Sequence, residues 1–316
     1  MSYPLRVSVA IPLYNEAEVF PELLRRLRAV LDALPGGPHE IVFVDDGSAD
    51  GTFECVAAAA AGDRRIVGVS LSRNFGHQAA LSAALDNASG DVVVVMDGDL
   101  QDPPEAIPLL LAEFHKGFDV VYVRRTARKE GVLLRASYYL FYRMIAVLSN
   151  VHLPLDAGDF GLLSRRVVEE VKAIPERHRY LRGLRSWVGF RQTGIAVERA
   201  PRAAGKSSYT PAKLLRLAFD GIFAFSMAPL RAAALLGLAT IAGSVLFAAY
   251  AVYVRLVLGR SPVGFTALIL VLTFFSGVQL LFLGVIGEYL GRVYEETKGR
   301  PRYVVDRTVG RPRNAP

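Results

Sequence analysis

Two stretches free of any charged side chain, Ala232 to Val254 and Val263 to Gly287, constrain this chain more than anything else in it. They run 23 and 25 residues. At about 1.5 Å per residue, a helix over either one exceeds a bilayer's hydrocarbon core of about 30 Å. Residues 231–290 are therefore expected to form two transmembrane helices. The alternative, a pair of helices buried in a large soluble protein, accords poorly with their length and complete lack of charge.

Orientation follows from what flanks them. Ser2 to Arg6 leads straight into Val7-Ser8-Val9-Ala10-Ile11, an apolar run too short to span, so the front of the chain is expected to stay in the cytoplasm. The loop around Ser261 carries only Arg255 and Arg260, whereas the tail after Gly287 holds seven Lys or Arg against four acids. That bias puts both termini on the cytoplasmic side. A single cysteine, Cys55, excludes an internal disulfide, suits a reducing compartment and reads as an inert buried thiol. The net charge of +7 is uneven: Arg177 to Arg216 holds ten Lys or Arg against one acid, Glu198. A basic stretch just before two spans points to lipid phosphates or a phosphorylated substrate at the bilayer, not to nucleic acid.

The first 125 residues alternate short β-rich runs with helical patterns. Strands are expected at Val7 to Leu13, Glu40 to Asp45, Ile66 to Ser70, Val92 to Asp97 and Val120 to Val123. Helices are expected at Val19 to Leu34, Thr52 to Ala61, His77 to Ala88 and Glu105 to Lys116. That rhythm indicates an α/β domain with a mostly parallel, Rossmann-like sheet covered on both faces. The domain is expected over residues 1–210, a juxtamembrane amphipathic helix within 211–230 (Pro211 to Phe225) and a cytoplasmic tail with little core of its own over 291–316. Leu133 to Leu148 is a further helical pattern, equally readable as a core helix or one lying on the membrane surface. Gly237, Gly243, Gly277 and Gly284 in the spans allow packing between copies, as a homo-oligomer, or within one chain.

In such sheets ligands bind at the carboxyl ends of the strands, and here those ends are polar. The fourth strand runs into Met96-Asp97-Gly98-Asp99-Leu100-Gln101-Asp102-Pro103-Pro104-Glu105. Two carboxylates one residue apart in that position suit a hard cation that keeps sites open for substrate phosphates. The first strand ends in Pro12-Leu13-Tyr14-Asn15-Glu16, the second in Asp45-Asp46-Gly47-Ser48-Ala49-Asp50-Gly51-Thr52. Either alone could be a helix-capping turn. Together with the acids after the fourth strand they would surround a nucleotide, with base and ribose at Tyr14 and Asp46 and a metal-bridged diphosphate at Asp99.

These motifs, with Arg73-Asn74-Phe75-Gly76, Gly158-Asp159-Phe160, Arg182-Gly183 and Gly205-Lys206-Ser207-Ser208-Tyr209, resemble those of the inverting family 2 glycosyltransferases of GT-A fold. Within that family the match is to the polyprenyl-phosphate branch: bactoprenol glucosyltransferases and dolichyl-phosphate mannose synthases. The resemblance covers nearly the whole chain, and the two spans look more like the bacterial glucosyltransferases.

The resemblance implies metal-dependent transfer of a hexose from a nucleotide-sugar donor to undecaprenyl or another polyprenyl phosphate, on the cytoplasmic face of a bacterial inner membrane. Glucose from UDP-glucose leads; mannose from GDP-mannose, N-acetylglucosamine and aminoarabinose follow. By position, Pro12, Tyr14, Glu16, Asp45, Asp46 and Gly98 belong to the donor site, Asp97 to its ribose or diphosphate side, and Asp99 with Gln101 to a Mg2+ or Mn2+ ion. Asp159 matches the family's aspartate assigned as base. A phosphate monoester has a second pKa of about 6 and is already an anion near neutrality, so Asp159 is equally readable as positioning the acceptor. Arg202, Lys206, Ser207 and Tyr209 fall in the loop folded over the phosphates. Arg179, Arg182 and Arg185, spaced by three, read either as phosphate contacts or as a solvated helix face. Tyr180 and Trp187 read as packing or interfacial anchors, and His77, at a helix start without a metal-spaced partner, as structural. Two other classes compete: a phosphate-loop nucleotidase, on Ala200 to Ser207, which lacks that pattern's first glycine, and a noncatalytic membrane scaffold.

Overall fold

In a computed structural model, the described residues are 5–125, 157–177, 179–197, 228–257 and 264–310. They form two units, one built from the strands with their helices and one holding two long apolar helices.

The first unit starts with strands β1 (Val7–Leu13), β2 (Glu40–Asp45), β3 (Ile66–Leu71) and β4 (Val92–Val95), in which every residue is buried. Near-continuous apolar strands of this kind are what a parallel sheet covered on both faces requires. Between them run helices α1 (Phe20–Ala33), α2 (Thr52–Gly62) and α3 (His77–Asn87). Helix α4 (Ile107–His115) leads to β5 (Val120–Arg125), and β6 (Ala157–Ser164), α5 (Arg165–Ala173), α6 (Leu181–Trp187) and β7 (Gln192–Val197) follow. Helix α1 turns Leu23, Leu24, Leu27 and Leu31 inward at helical spacing, joined on the same sheet face by Val56 of α2 and Leu110 of α4. Leu81 and Leu85 of α3, Val167 and Val171 of α5, and Leu184 of α6 cover the other face.

With a last strand β8 (Val305–Val309) at one edge, the strand order is β7-β5-β6-β4-β1-β2-β3-β8. β1 pairs in parallel with both β2 and β4, so the order reverses beside β1 and the exits of β1, β2 and β4 adjoin. That reversal is where an open sheet forms its ligand crevice.

The five expected strands and the helices between them are present, but the sheet is more mixed than the sequence indicated. β6 lies antiparallel between β4 and β5, and β7 pairs in parallel with β5. The tail also departs from expectation, because Val305–Val309 forms a further strand, β8, antiparallel to β3. A segment expected to have little core thus completes one edge of the sheet.

The second unit holds α7 (Ala228–Val257) and α8 (Phe265–Thr297). Their apolar windows have mean hydropathies of 2.1 and 1.7 and are long enough to cross a membrane. Leu246 and Leu256 are 72% and 78% exposed, so neither helix is enclosed in a core of the described residues. Helix α8 runs beyond Gly287 into a charged end, where Arg292 pairs with Glu288 one turn earlier. The helical patterns at residues 133–148 and 211–225 lie outside the described residues.

Candidate active site

The loops after β1 and β2 are cross-braced. Ser48 Oγ accepts the Asn15 amide at 2.9 Å, Asn15 Oδ1 accepts the Ala49 amide at 3.0 Å, and Thr52 Oγ1 accepts the Glu16 amide at 2.9 Å. Asp50 adds a bond from the Ala17 amide and another from the Thr52 hydroxyl. The polar run Ser48 to Thr52 therefore works mainly as a brace for the turn at Tyr14, Asn15 and Glu16. Tyr14, in the turn after β1, is left 50% exposed. Pro12, at the end of β1, is buried.

Asp45 and Asp46 are both buried. Asp45 accepts the Ser48 amide. Asp46 spans the crevice floor, taking the Phe75 amide on Oδ1 at 2.7 Å and the Gly76 amide on Oδ2 at 2.9 Å. Burial raises its pKa, and these two amides partly offset it. Gly47 makes this approach feasible: at φ 69° an added Cβ would lie 2.6 Å from the Arg73 carbonyl carbon. Asp46 thus anchors the Arg73-Asn74-Phe75-Gly76 turn, a role its sequence position did not announce.

After β4 the chain turns sharply through Gly98, where a Cβ would meet Leu13 Cδ2 at 2.4 Å. Leu100 then adopts φ 57°; with Asn15 at φ 53° it is one of two positive-φ non-glycine residues found among the described ones. Both stand in crevice turns, where strained backbone commonly marks function. Asp99 is buried, its Oδ1 accepting the Gln101 amide at 3.1 Å. Among the described residues, no three His, Cys, Asp or Glu side chains form a complete metal cage. One or two carboxylates, with the other positions left to phosphate oxygens and water, is the donor set that Mg2+ or Mn2+ takes beside a diphosphate. Asp99 with Gln101 fits that set.

Facing them is a second charged group. Arg182 donates from Nε and Nη2 to the two oxygens of Asp159, both bonds 2.7 Å. His77 Nε2 lies 3.6 Å from Asp97 Oδ1 and 3.8 Å from Asp159 Oδ2. Burial pushes Asp97 up to about 6, with His77 drawing it back and Asp159, Asp102 and Asp99 adding to the rise. Asp159 behaves oppositely: burial would raise it, but the Arg182 bonds and charge, with His77, outweigh that and hold it far below the usual carboxylate range. Two acids in one crevice are driven apart by their partners.

The three regularly spaced arginines separate into different roles. Arg179 is buried and donates to the Ile174 carbonyl and to Ser82 Oγ, which makes it a structural tie. Arg182 pairs with Asp159. Arg185, 1% exposed, sits 5.3 Å from the Tyr122 ring centre, and burial lowers its pKa to about 10. The burial of Arg179 and Arg185 excludes a solvated basic face. Trp187, at 65% exposure, is not a packing residue. Arg202, Lys206, Ser207 and Tyr209 lie outside the described residues. His77, expected to be structural, has acidic neighbours from β6 and the turn after β4.

Residues 8–172 match the glycosyl transferase family 2 model. The chain belongs to that family. It is 40% identical to an uncharacterized glycosyltransferase, YkcC, of Bacillus subtilis, over 98% of this chain and 96% of that one. It is 39% identical to a prophage-derived bactoprenol glucosyl transferase of Shigella flexneri, over 96% of this chain and 98% of the relative. Among solved structures, a mannosyltransferase of Pyrobaculum calidifontis in complex with GDP-mannose and Mn2+ has a TM-score of 0.44 at 19% identity, covering 92% of this chain and 88% of that one. The protein is thus a glycosyltransferase, which removes both rival classes: the phosphate-loop nucleotidase and the noncatalytic scaffold.

Proposed function

We propose that this glycosyltransferase moves a hexose, with glucose from UDP-glucose the leading choice, onto a polyprenyl phosphate at the cytoplasmic face of a membrane. One observation carries the reading: the acids after β4 and the Asp159–Arg182 pair meet at a single crevice, with His77 3.6 and 3.8 Å from the two sides. The name of the Shigella flexneri relative, a bactoprenol glucosyl transferase, supports both the lipid acceptor and the sugar.

In this reading the nucleobase stacks on the exposed ring of Tyr14, and Asp99 with Gln101 hold a divalent cation. The bound ion would neutralise the leaving diphosphate, the largest electrostatic demand of the reaction. An acceptor phosphate oxygen attacks the anomeric carbon as the bond from that carbon to the nucleoside diphosphate breaks, and the bonding pair leaves on the diphosphate. The carbon inverts. Asp159 is too weak a base to be needed for proton removal, because Arg182 holds it ionised and the acceptor is largely an anion above pH about 6. Its role is to fix Arg182, and with it the acceptor phosphate.

Topology supports the same picture. Strands β1 to β7 precede α7 and β8 follows α8, yet all belong to one sheet. Two crossings by α7 and α8 would return the chain to the face it left, in keeping with β8 joining that sheet.

The test is to incubate the purified protein with undecaprenyl phosphate, Mg2+ or Mn2+ and a panel of labelled nucleotide sugars. One labelled lipid identifies both donor and acceptor; label in no lipid with any donor overturns the reading. A product carrying mannose, N-acetylglucosamine or aminoarabinose keeps the lipid acceptor and replaces glucose.

A further inference from the structure

We propose that His77 is a positioning residue whose imidazole, lodged between Asp97 and Asp159, sets the spacing between the donor and acceptor sides of the crevice. This rests on the reading of that crevice as the transfer site.

Three observations carry it. The first is distance: one nitrogen, Nε2, stands 3.6 Å from Asp97 Oδ1 and 3.8 Å from Asp159 Oδ2. Two carboxylates sharing a crevice repel, and an imidazole nitrogen between them, within ion-pair range of both though beyond hydrogen-bond distance of either, offsets that repulsion.

The second is exposure. The His77 side chain is 44% exposed, so the ring contributes little to packing, and its place at the start of α3 does not account for where it points.

The third is how firmly the first turn of α3 is fixed. Just before His77, the Gly76 amide is held by Asp46 at 2.9 Å. Just after it, Gln78 Oε1 accepts the Leu181 amide at 2.9 Å, which binds this turn to the start of α6, the helix that carries Arg182. His77 is thus placed from the nucleoside side by Asp46 and from the acceptor side by α6. One imidazole registers the two half-sites, and an error of about 1 Å between them could cost about 100-fold in rate.

The experiment compares full-length wild type, His77→Ala, His77→Gln and Asp99→Asn, using the donor that wild type accepts. We expect His77→Ala to lose ~10- to 100-fold in kcat while the KM values for donor and acceptor stay within about threefold. His77→Gln, which keeps an N–H donor, should recover most of the loss, and the melting temperatures of both variants should stay within about 2 °C of wild type. A His77→Ala kcat within about twofold of wild type overturns the proposal, as does a loss equal in both variants and accompanied by a lowered Tm. Experimental structures of wild type and His77→Ala add a readout independent of turnover: the distance between the Asp97 and Asp159 carboxylates should change, and an unchanged distance also overturns it. Wild type that labels no lipid refutes the transfer reading instead, and the carboxylate spacing still decides the fate of His77.

Discussion

Arg182 and Asp159 form a two-pronged ion pair across the crevice, with the aspartate 8% and the arginine 22% exposed as side chains. Removing one member of a buried pair strands a charge and costs about 3–5 kcal/mol, whereas replacing both by apolar residues can be neutral. Arg182→Leu alone should therefore lower stability by about 3 kcal/mol, and the double variant Arg182→Leu with Asp159→Leu should regain most of it. Neither should transfer sugar. Thermal melts together with a lipid-labelling assay check both points, and an active double variant would remove this pair from the acceptor site.

Asp99→Asn separates the cation from the fold. Asparagine keeps an oxygen for the Gln101 amide, so the turn after β4 should persist and melting should be nearly unchanged. What is lost is the anionic ligand. Transfer should fall by at least ~100-fold and Mn2+ affinity should drop in parallel, as read by calorimetry and by the assay. Retained activity at saturating metal would refute the assigned ligand.

The pH dependence of transfer distinguishes a base from a positioning residue. Arg182 and His77 keep the Asp159 carboxyl ionised well below the usual range despite its burial, so Asp159 stays charged across the pH range of the assay and contributes no rise in rate there. With a phosphate acceptor, the rate should increase as pH rises through about 6, where the monoester loses its second proton. Asp159→Asn should lower the rate yet leave the position of that acid limb unchanged. A limb that disappears in the variant would restore Asp159 as the base.

How much of this was legible in the sequence depends on whether a residue's partner is near it in the chain. The strands β1 to β4 announce themselves as apolar runs closed by turn residues, and their exits carry the acids that the site uses. β6 hid behind Gly158 and Gly161, which weaken strand propensity, and Asp159 stood out as a motif and not as part of a strand. β7 contains Gly194, and β8 is five residues in a basic tail. The grip of Asp46 on Phe75 and Gly76, and the place of His77 between two acids, arise from chain crossings that no local pattern encodes.

The return of the tail to the sheet yields the last prediction. The Val304 carbonyl accepts the Ser72 amide at 2.9 Å, next to the turn whose amides hold Asp46. Tyr303 donates its hydroxyl to Asp86 at 2.8 Å, Arg302 donates to the Ile174 carbonyl, and the Val309 side chain would lie 2.7 Å from a Cβ at Gly68. The segment that leaves the second apolar helix is therefore stitched to β3 and to the floor of the donor crevice. Val309→Asp puts a charge against the partly buried edge of that core and should cost about 1–3 kcal/mol. Deleting residues 300–316 should lower Tm by about 5 °C or more and raise the donor KM more than the acceptor KM, because the Arg73–Gly76 turn loses its outer support. Tyr303→Phe, which removes one bond at the same edge, should shift both quantities in the same direction by less. A truncated protein with wild-type donor KM and Tm would show that β8 closes the sheet without bearing on the site.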